Sequence, residues 1–153
     1  MNWDELIPEL KSWKPPISPE NLAASLGRYP LVIGYLTVFW PSFVEYKGMV
    51  FRAEEIDEAH IEKWLGSRNG DKQAVEAVIN HFHVIHLQHP GIWNDATEPQ
   101  IRFLGQILKE TWAAKLNRDF PTKQFVVELI EGSIDNLEEY QVLFYQSPST
   151  DKI

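Results

Sequence analysis

The chain has 153 residues, of which 44% are hydrophobic, and a formal net charge of −8. This length predicts a single globular domain over residues 1–153, and the many aromatic residues argue against a disordered chain. The acidic balance argues against nucleic-acid binding, because a negative surface repels phosphates, and the lack of cysteine excludes disulfides and thiolate zinc sites.

The N-terminal segment, residues 1–17, is predicted to be a helical arm. Asn2 and Glu5 have the spacing of a capping box, and apolar residues recur at helical intervals over residues 2–13, although Pro8 interrupts the pattern. The first residues lack the basic and apolar regions of a signal peptide, which predicts a cytoplasmic protein.

The next two segments have recognisable start and stop signals. Ser18 followed by Pro19 predicts the start of a helix that Gly27 ends. Residues 31–40 are apolar on all sides, which fits a buried helix or a buried strand, and periodicity does not decide between the two. A helix that ends before Pro41 is favoured. The run is too short to span a bilayer, so no membrane partner is expected.

The middle of the chain predicts a hairpin followed by two helices. Residues 42–52 form two apolar stretches around Lys47-Gly48, where the glycine supplies the positive φ of a tight turn. Residues 54–65 have the acidic start and the apolar stripe of a helix. Asp71 can cap the next helix, whose apolar stripe continues to about residue 87.

The C-terminal part predicts one long helix and a second hairpin. Thr97 and Gln100 have capping-box spacing at the start of a helix over residues 98–117. Residues 125–131 and 140–146 have strand character and are joined by a turn-like link.

The order of these elements predicts an α+β fold, in which an antiparallel sheet of about four strands, made from the two hairpins, packs against several helices. The last strand is apolar on both faces, which indicates a central strand or an edge strand with a covered second face. If its edge were uncovered, it could pair with its symmetry mate in a homodimer. Residues 147–153 are expected to be a flexible tail.

Four of the five histidines lie between residues 81 and 89. On a helix, His83, His86 and His89 would form a slanted row that could hold Zn²⁺ or a similar divalent metal, with Asp95 as a fourth ligand. Metal sites on helices more often use a four-residue spacing, which no pair in this cluster has. Packing at a helix end therefore outweighs a metal role, and the main expectation is that the protein has no cofactor.

Three functions remain open. The favoured hypothesis is a small, acidic, soluble module that binds another protein or itself without catalysis, as an inhibitor, immunity protein or adaptor would, because the chain shows no catalytic motif. One alternative is a metal-dependent enzyme or metal-binding protein that uses the histidine cluster. The other is a small-ligand pocket between sheet and helices. Carboxylates from Glu54 to Glu62 could serve catalysis, but a solvated helix start explains them better.

Overall fold

The computed structural model describes residues 1–148. Its α-helices are α1 (Trp3–Leu6), α2 (Pro19–Leu26), α3 (Tyr29–Phe39), α4 (Glu58–Ser67), α5 (Lys72–Ile79) and α6 (Glu98–Asp119). Its β-strands are β1 (Phe43–Tyr46), β2 (Met49–Arg52), β3 (Phe82–His83), β4 (Phe125–Ile130) and β5 (Gln141–Gln146). Short 3-10 helices lie at Pro8–Ser12, Ala53–Glu55, Val84–Leu87 and Leu137–Glu139. The predicted α+β class is confirmed.

Predicted helix starts are confirmed where a short polar side chain binds the free backbone N–H groups of the first turn. Ser18 Oγ accepts a hydrogen bond from the Asn21 N–H at 3.1 Å at the start of α2. The Asp71 side chain caps α5 in the same way. Thr97 and Gln100 form the predicted reciprocal capping box of α6. Each such cap contributes about 1 kcal/mol of stability.

The strands form two antiparallel sheets, so the prediction of a single four-stranded sheet is wrong. β1 and β2 make the predicted hairpin, with Lys47 at φ 50° and Gly48 at φ 81° in its turn. The second sheet has the order β3-β5-β4. Side chains from α5 and from the residue after it occupy the other edge of β2. Glu76 Oε1 accepts from the Val50 N–H at 2.8 Å, and Asn80 Nδ2 donates to the Val50 carbonyl at 2.8 Å.

The last strand lies in the middle of its sheet, which is the first of the two alternatives predicted for it. β5 pairs with β4 along its length and with β3 at its start. At its end, the Gln146 N–H donates to Glu76 Oε2 at 2.8 Å. In residues 1–148, β5 has a neighbouring strand on each side, so the condition for pairing with its symmetry mate, an uncovered edge, is not met. Tyr140, Val142 and Phe144 are fully buried, which confirms that these residues belong to the core.

Two apolar cores hold the helices in place. The larger core lies between α6 and the second sheet and is formed by Val50, Val84, Ile101, Leu108, Trp112, Leu116, Tyr140, Val142 and Phe144. The smaller core lies under the hairpin, α4 and α5 and is formed by Met49, Phe51, Ile61, Val75 and Ile79. Burial of each large side chain stabilises the fold by about 1.5–3 kcal/mol. Because α6 supplies Ile101, Leu108, Trp112 and Leu116 to the larger core, it is held firmly in place and its neighbours pack against it.

Within residues 1–17, helix α1 packs against α6, where the ring of Trp3 lies edge-on to that of Phe103. Gln100 Nε2 donates to the Leu6 carbonyl at 2.8 Å. The predicted helix over residues 2–13 is divided at Pro8, where α1 gives way to a 3-10 helix. The Asn2 side chain makes no capping hydrogen bond, so that part of the prediction is wrong.

The histidine-rich segment is not a continuation of α5, so the prediction of a helix to about residue 87 is wrong. α5 ends at Ile79, and the side chain of the next residue, Asn80, forms a hydrogen bond with the backbone of β2. The chain then extends as β3 beside β5, and the Val84 N–H donates to the Tyr140 carbonyl at 3.0 Å. Strand pairing satisfies the backbone here and buries Val84.

The C-terminal residues 149–153 lie outside the described part of the chain, so most of the predicted tail does too. Ser147, at its start, donates its N–H to the Gln124 carbonyl at 2.9 Å. No helix within residues 1–148 is long and apolar enough to cross a bilayer.

Candidate functional site

α3 confirms the favoured helix for residues 31–40 but contradicts its expected burial. None of its residues is fully buried. Tyr29 is 86% exposed and Ile33 is 62% exposed. With four further apolar side chains that are half exposed or more, they form what we call the α3 face: Tyr29, Leu31, Val32, Ile33, Tyr35 and Leu36.

The C-terminal end of α3 attaches the helix to the larger core. Trp112 Nε1 donates to the Val38 carbonyl at 2.7 Å. Val38 and Phe39 are half-buried against the same core. Residues 29–37, by contrast, are all exposed. The helix is therefore held at its C-terminal end, and the rest of it leaves an apolar surface exposed to solvent.

No residue of α3 carries a charge, so the α3 face is uncharged throughout and its polar atoms are the hydroxyls of Tyr29 and Tyr35. A surface helix of a globular protein ordinarily has a polar outer side. The exposed fractions of the six side chains correspond to roughly 700 Å² of surface, close to what one partner contributes to a stable interface. Contiguous apolar patches of this size mark interaction sites.

A groove of about 570 Å³ lies beside α3, where α1, α6 and the chain before α6 also form its walls. Tyr35 and Phe39 line the groove from α3, and Phe103 and Leu104 line it from α6. Because Tyr35 belongs to both features, the groove is continuous with the α3 face. Its volume also lies in the range of small-ligand pockets, and the small-ligand alternative stays a prediction.

Three histidines come together beside β3, and they are not the three predicted to form a row. The ring centroids of His81 and His83 lie 5.1 Å apart, and those of His83 and His86 lie 5.3 Å apart. His83 Nδ1 lies 2.6 Å from the Glu138 carbonyl oxygen, so this nitrogen carries the proton. His86 Nε2 lies 3.5 Å from the Glu138 carboxylate.

The other two residues of the predicted metal set have different surroundings. His89 Nδ1 accepts a hydrogen bond from the Gly91 N–H at 3.0 Å, and Asp95 lines the groove. Within residues 1–148, no group of three or more histidine and acidic side chains is placed to hold a metal ion. Ligation by His83, His86, His89 and Asp95 is therefore not part of the function proposed below.

Sequence reasoning missed Arg52, a buried cation at the end of the first hairpin. Its guanidinium carbon lies 5.4 Å from the ring centroid of Phe82 and 5.3 Å from that of Trp112. Its Nη2 donates to Glu55 at 2.9 Å. Burial lowers the pKa of Arg52, and the nearby carboxylates of Glu55 and Glu54 oppose this shift. The predicted helix over residues 54–65 begins only at Glu58, so Glu55 lies before it. Glu55 is therefore a counter-ion to Arg52 rather than a solvated helix-start residue.

No protein-family model, curated protein or solved structure matches this chain. The α3 face therefore has to be interpreted from its own residues. Its signal in the sequence is the uncharged run over residues 29–39. Such a run predicts burial as readily as exposure, because hydropathy does not report what covers a helix.

Proposed function

We propose that the protein is a binding module whose α3 face docks against another protein chain, without catalysis of its own. The observation that carries this proposal is the exposure of six apolar side chains on a helix of 11 residues that has no charge. At about 25 cal/mol per Å², covering roughly 700 Å² corresponds to about 15–20 kcal/mol of transfer free energy. Only the part left after the costs of association appears as affinity.

The groove supports the same function. Protein interfaces concentrate their binding energy in a few side chains that enter apolar pockets. Because Tyr35 and Phe39 line the groove, a partner that lies across α3 can insert an aromatic or aliphatic side chain there. An inhibitor, an immunity protein and an adaptor would all use an interface of this kind.

The charges favour a protein partner over a lipid surface. Helices that lie on membranes usually have Lys and Arg on the side opposite their apolar face. α3 has neither residue, and the net charge of −8 disfavours anionic headgroups. A protein surface that is itself apolar is the complementary partner.

Site-specific crosslinking in the cells that naturally produce this protein tests the proposal. A photo-reactive phenylalanine analogue at Ile33 is expected to form a covalent adduct of discrete mass with a protein. The same analogue at Glu110, which is exposed on α6, serves as the matched control and is expected to give no such adduct.

A second substitution tests whether the adduct depends on the apolar surface. Leu36→Asp places a charge on the α3 face and is expected to abolish the Ile33 adduct, because the charge would have to be desolvated in the interface. The proposal fails if Ile33 and Glu110 give the same products. It also fails if the chain sediments with neutral phosphatidylcholine vesicles and Leu36→Asp releases it.

A further inference from the structure

We infer that the groove beside α3 binds a small organic amine, with the apolar body of the ligand inside the groove and its ammonium group at Asp95. This inference goes beyond the proposed function, because its ligand is a free small molecule whereas the proposed partner is a protein chain. The volume of the groove, its aromatic lining and its charge each support the inference.

The groove is larger than one inserted side chain requires. A cavity of about 150 Å³ holds a benzene ring, whereas this groove has a volume of about 570 Å³. Small-ligand sites occupy about 300–1,000 Å³ and are mostly apolar with a few polar groups. The buried side chains of Val84 and Ile101 form part of the lining, so the groove reaches down to the larger core. A small molecule can therefore bury much of its apolar surface here.

Aromatic rings from three helices line the groove. Trp3 comes from α1, Tyr35 and Phe39 come from α3, and Phe103 comes from α6. The rings of Trp3 and Phe103 meet edge to face, with their centroids 6.0 Å apart. The face of an aromatic ring attracts a cation, because the ring quadrupole is negative there. The lining thus suits an apolar body that has a positive charge beside it.

Asp95 gives the groove its charge. It is the only charged side chain among the described residues that line the groove, and these include no Lys, Arg or His. Asp95 is exposed, which places its carboxylate at the mouth, and none of the ion pairs within residues 1–148 includes it. A carboxylate without a counter-ion attracts a cation, and the net charge of −8 adds to this attraction.

Two amide side chains supply further hydrogen-bond acceptors near Asp95. Gln88 and Asn94 line the groove from the same stretch of chain, between β3 and α6. The amide of Gln100 also lines the groove, but both of its ends are already bound within the chain. An ammonium group has three N–H donors and no acceptor, so it can bind a carboxylate and amide oxygens together. The polar groups of the groove therefore match the charged end of an amine.

Three probes that share one apolar body test this inference: phenylbutylamine, phenylbutanol and phenylbutyrate. At neutral pH they are positive, uncharged and negative, respectively. Each is titrated into the isotope-labelled full-length chain, and amide NMR shifts give its dissociation constant and its location. The amine is expected to bind about fivefold more tightly than the alcohol, as one partly exposed ion pair allows, and the carboxylate is expected to bind most weakly. The amides of Gln88, Ala96 and Leu104, which line the groove, are expected to shift.

Asp95→Asn tests the carboxylate. It is expected to weaken phenylbutylamine about fivefold, to the affinity of phenylbutanol, and to leave the affinity for phenylbutanol unchanged. Glu110→Gln is the matched control, because it removes one negative charge at an exposed position of α6 that does not line the groove. Salt screens such a distant charge, so this variant is expected to bind both probes as the wild type does.

Phe103→Ala tests the position of the apolar body. It removes one wall of the groove and is expected to weaken the amine and the alcohol alike, by about threefold or more. Leu26→Ala is the matched control, since Leu26 is an exposed apolar residue on α2 outside the groove. It is expected to change the affinity for neither probe.

The inference is overturned if no probe binds, if the amine and the alcohol bind equally well, or if Asp95→Asn and Glu110→Gln weaken the amine equally. Amide shifts confined to exposed residues of α3 such as Ile33 would also overturn it. The crosslinking of Ile33 is a separate measurement, so the proposed function stands or fails independently of these results. If Ile33 crosslinks to a protein and no probe binds, the groove serves a side chain of that partner instead.

Discussion

Glu76 on α5 and Asn80, the residue that follows the end of α5, lie one turn apart and together take the place of a neighbouring strand for β2. Glu76 Oε1 accepts from the Val50 N–H, and the Asn80 side chain both donates to the Val50 carbonyl and accepts from the Arg52 N–H. The second oxygen of Glu76 accepts from the Gln146 N–H of β5. One buried carboxylate therefore connects the two sheets through the backbone of each.

Glu76→Ala is expected to lower the free energy of unfolding by about 3 kcal/mol, because it leaves one buried and one partly buried backbone N–H group without an acceptor. Urea denaturation would measure the change. Glu110→Ala, an exposed substitution on α6, should change the same quantity by less than about 0.5 kcal/mol. Equal losses in the two variants would show that the carboxylate does not stabilise the fold.

Trp112→Phe should loosen α3. The substitution removes the indole N–H that binds the Val38 carbonyl and is expected to cost about 1–2 kcal/mol of stability. Amide hydrogens of α3 should then exchange with deuterium faster than in the wild type. Trp64→Phe is the control, because its indole N–H binds His60 on α4 instead. If both variants leave α3 exchange unchanged, the Val38 contact does not anchor the helix.

Ile33→Lys is expected to leave the free energy of unfolding of the monomer unchanged within about 0.5 kcal/mol, since Ile33 is 62% exposed. It should also reduce binding of a hydrophobic dye, because it interrupts the apolar patch. Ile61→Lys makes the same change at a fully buried position and should prevent stable folding. A large loss of stability in Ile33→Lys would mean that α3 packs within its own chain.

Glu62→Gln should change the pH dependence of stability in acid. Hydrogen bonds from Lys47 and then Tyr46 hold the pKa of Glu62 below its ordinary value. A carboxyl whose pKa is lower in the folded state stabilises the fold above its unfolded pKa, and this contribution is lost as pH falls through the folded pKa. The variant should therefore melt at a lower temperature than the wild type at neutral pH, and the difference should shrink below about pH 4.

Melting curves from neutral pH to about pH 2 would measure this difference, across the range in which carboxyl groups titrate. Glu110→Gln, at an exposed site on α6, is the matched control for the loss of one carboxyl charge. A difference between Glu62→Gln and the wild type that stays constant across this range would mean that the ionised carboxylate contributes nothing through Lys47 and Tyr46.

The sequence by itself determined the features that depend on contacts within a few residues. The caps at Ser18, Asp71 and Thr97 each bind a backbone N–H three residues further along the chain, and the Lys47-Gly48 turn needs only its own dihedral angles. Two hairpins, the long C-terminal helix and the α+β class follow from such local rules.

The tertiary structure alone decided which surfaces these elements cover. Glu76 reaches Val50 across 26 residues, and Trp112 reaches Val38 across 74 residues. The first contact occupies the edge of β2 in place of another strand, and the second holds α3 at one end while its apolar face stays exposed. Hydropathy measures the preference of a side chain to leave water, whereas burial requires a neighbour to cover it, and distant parts of the chain supply that neighbour.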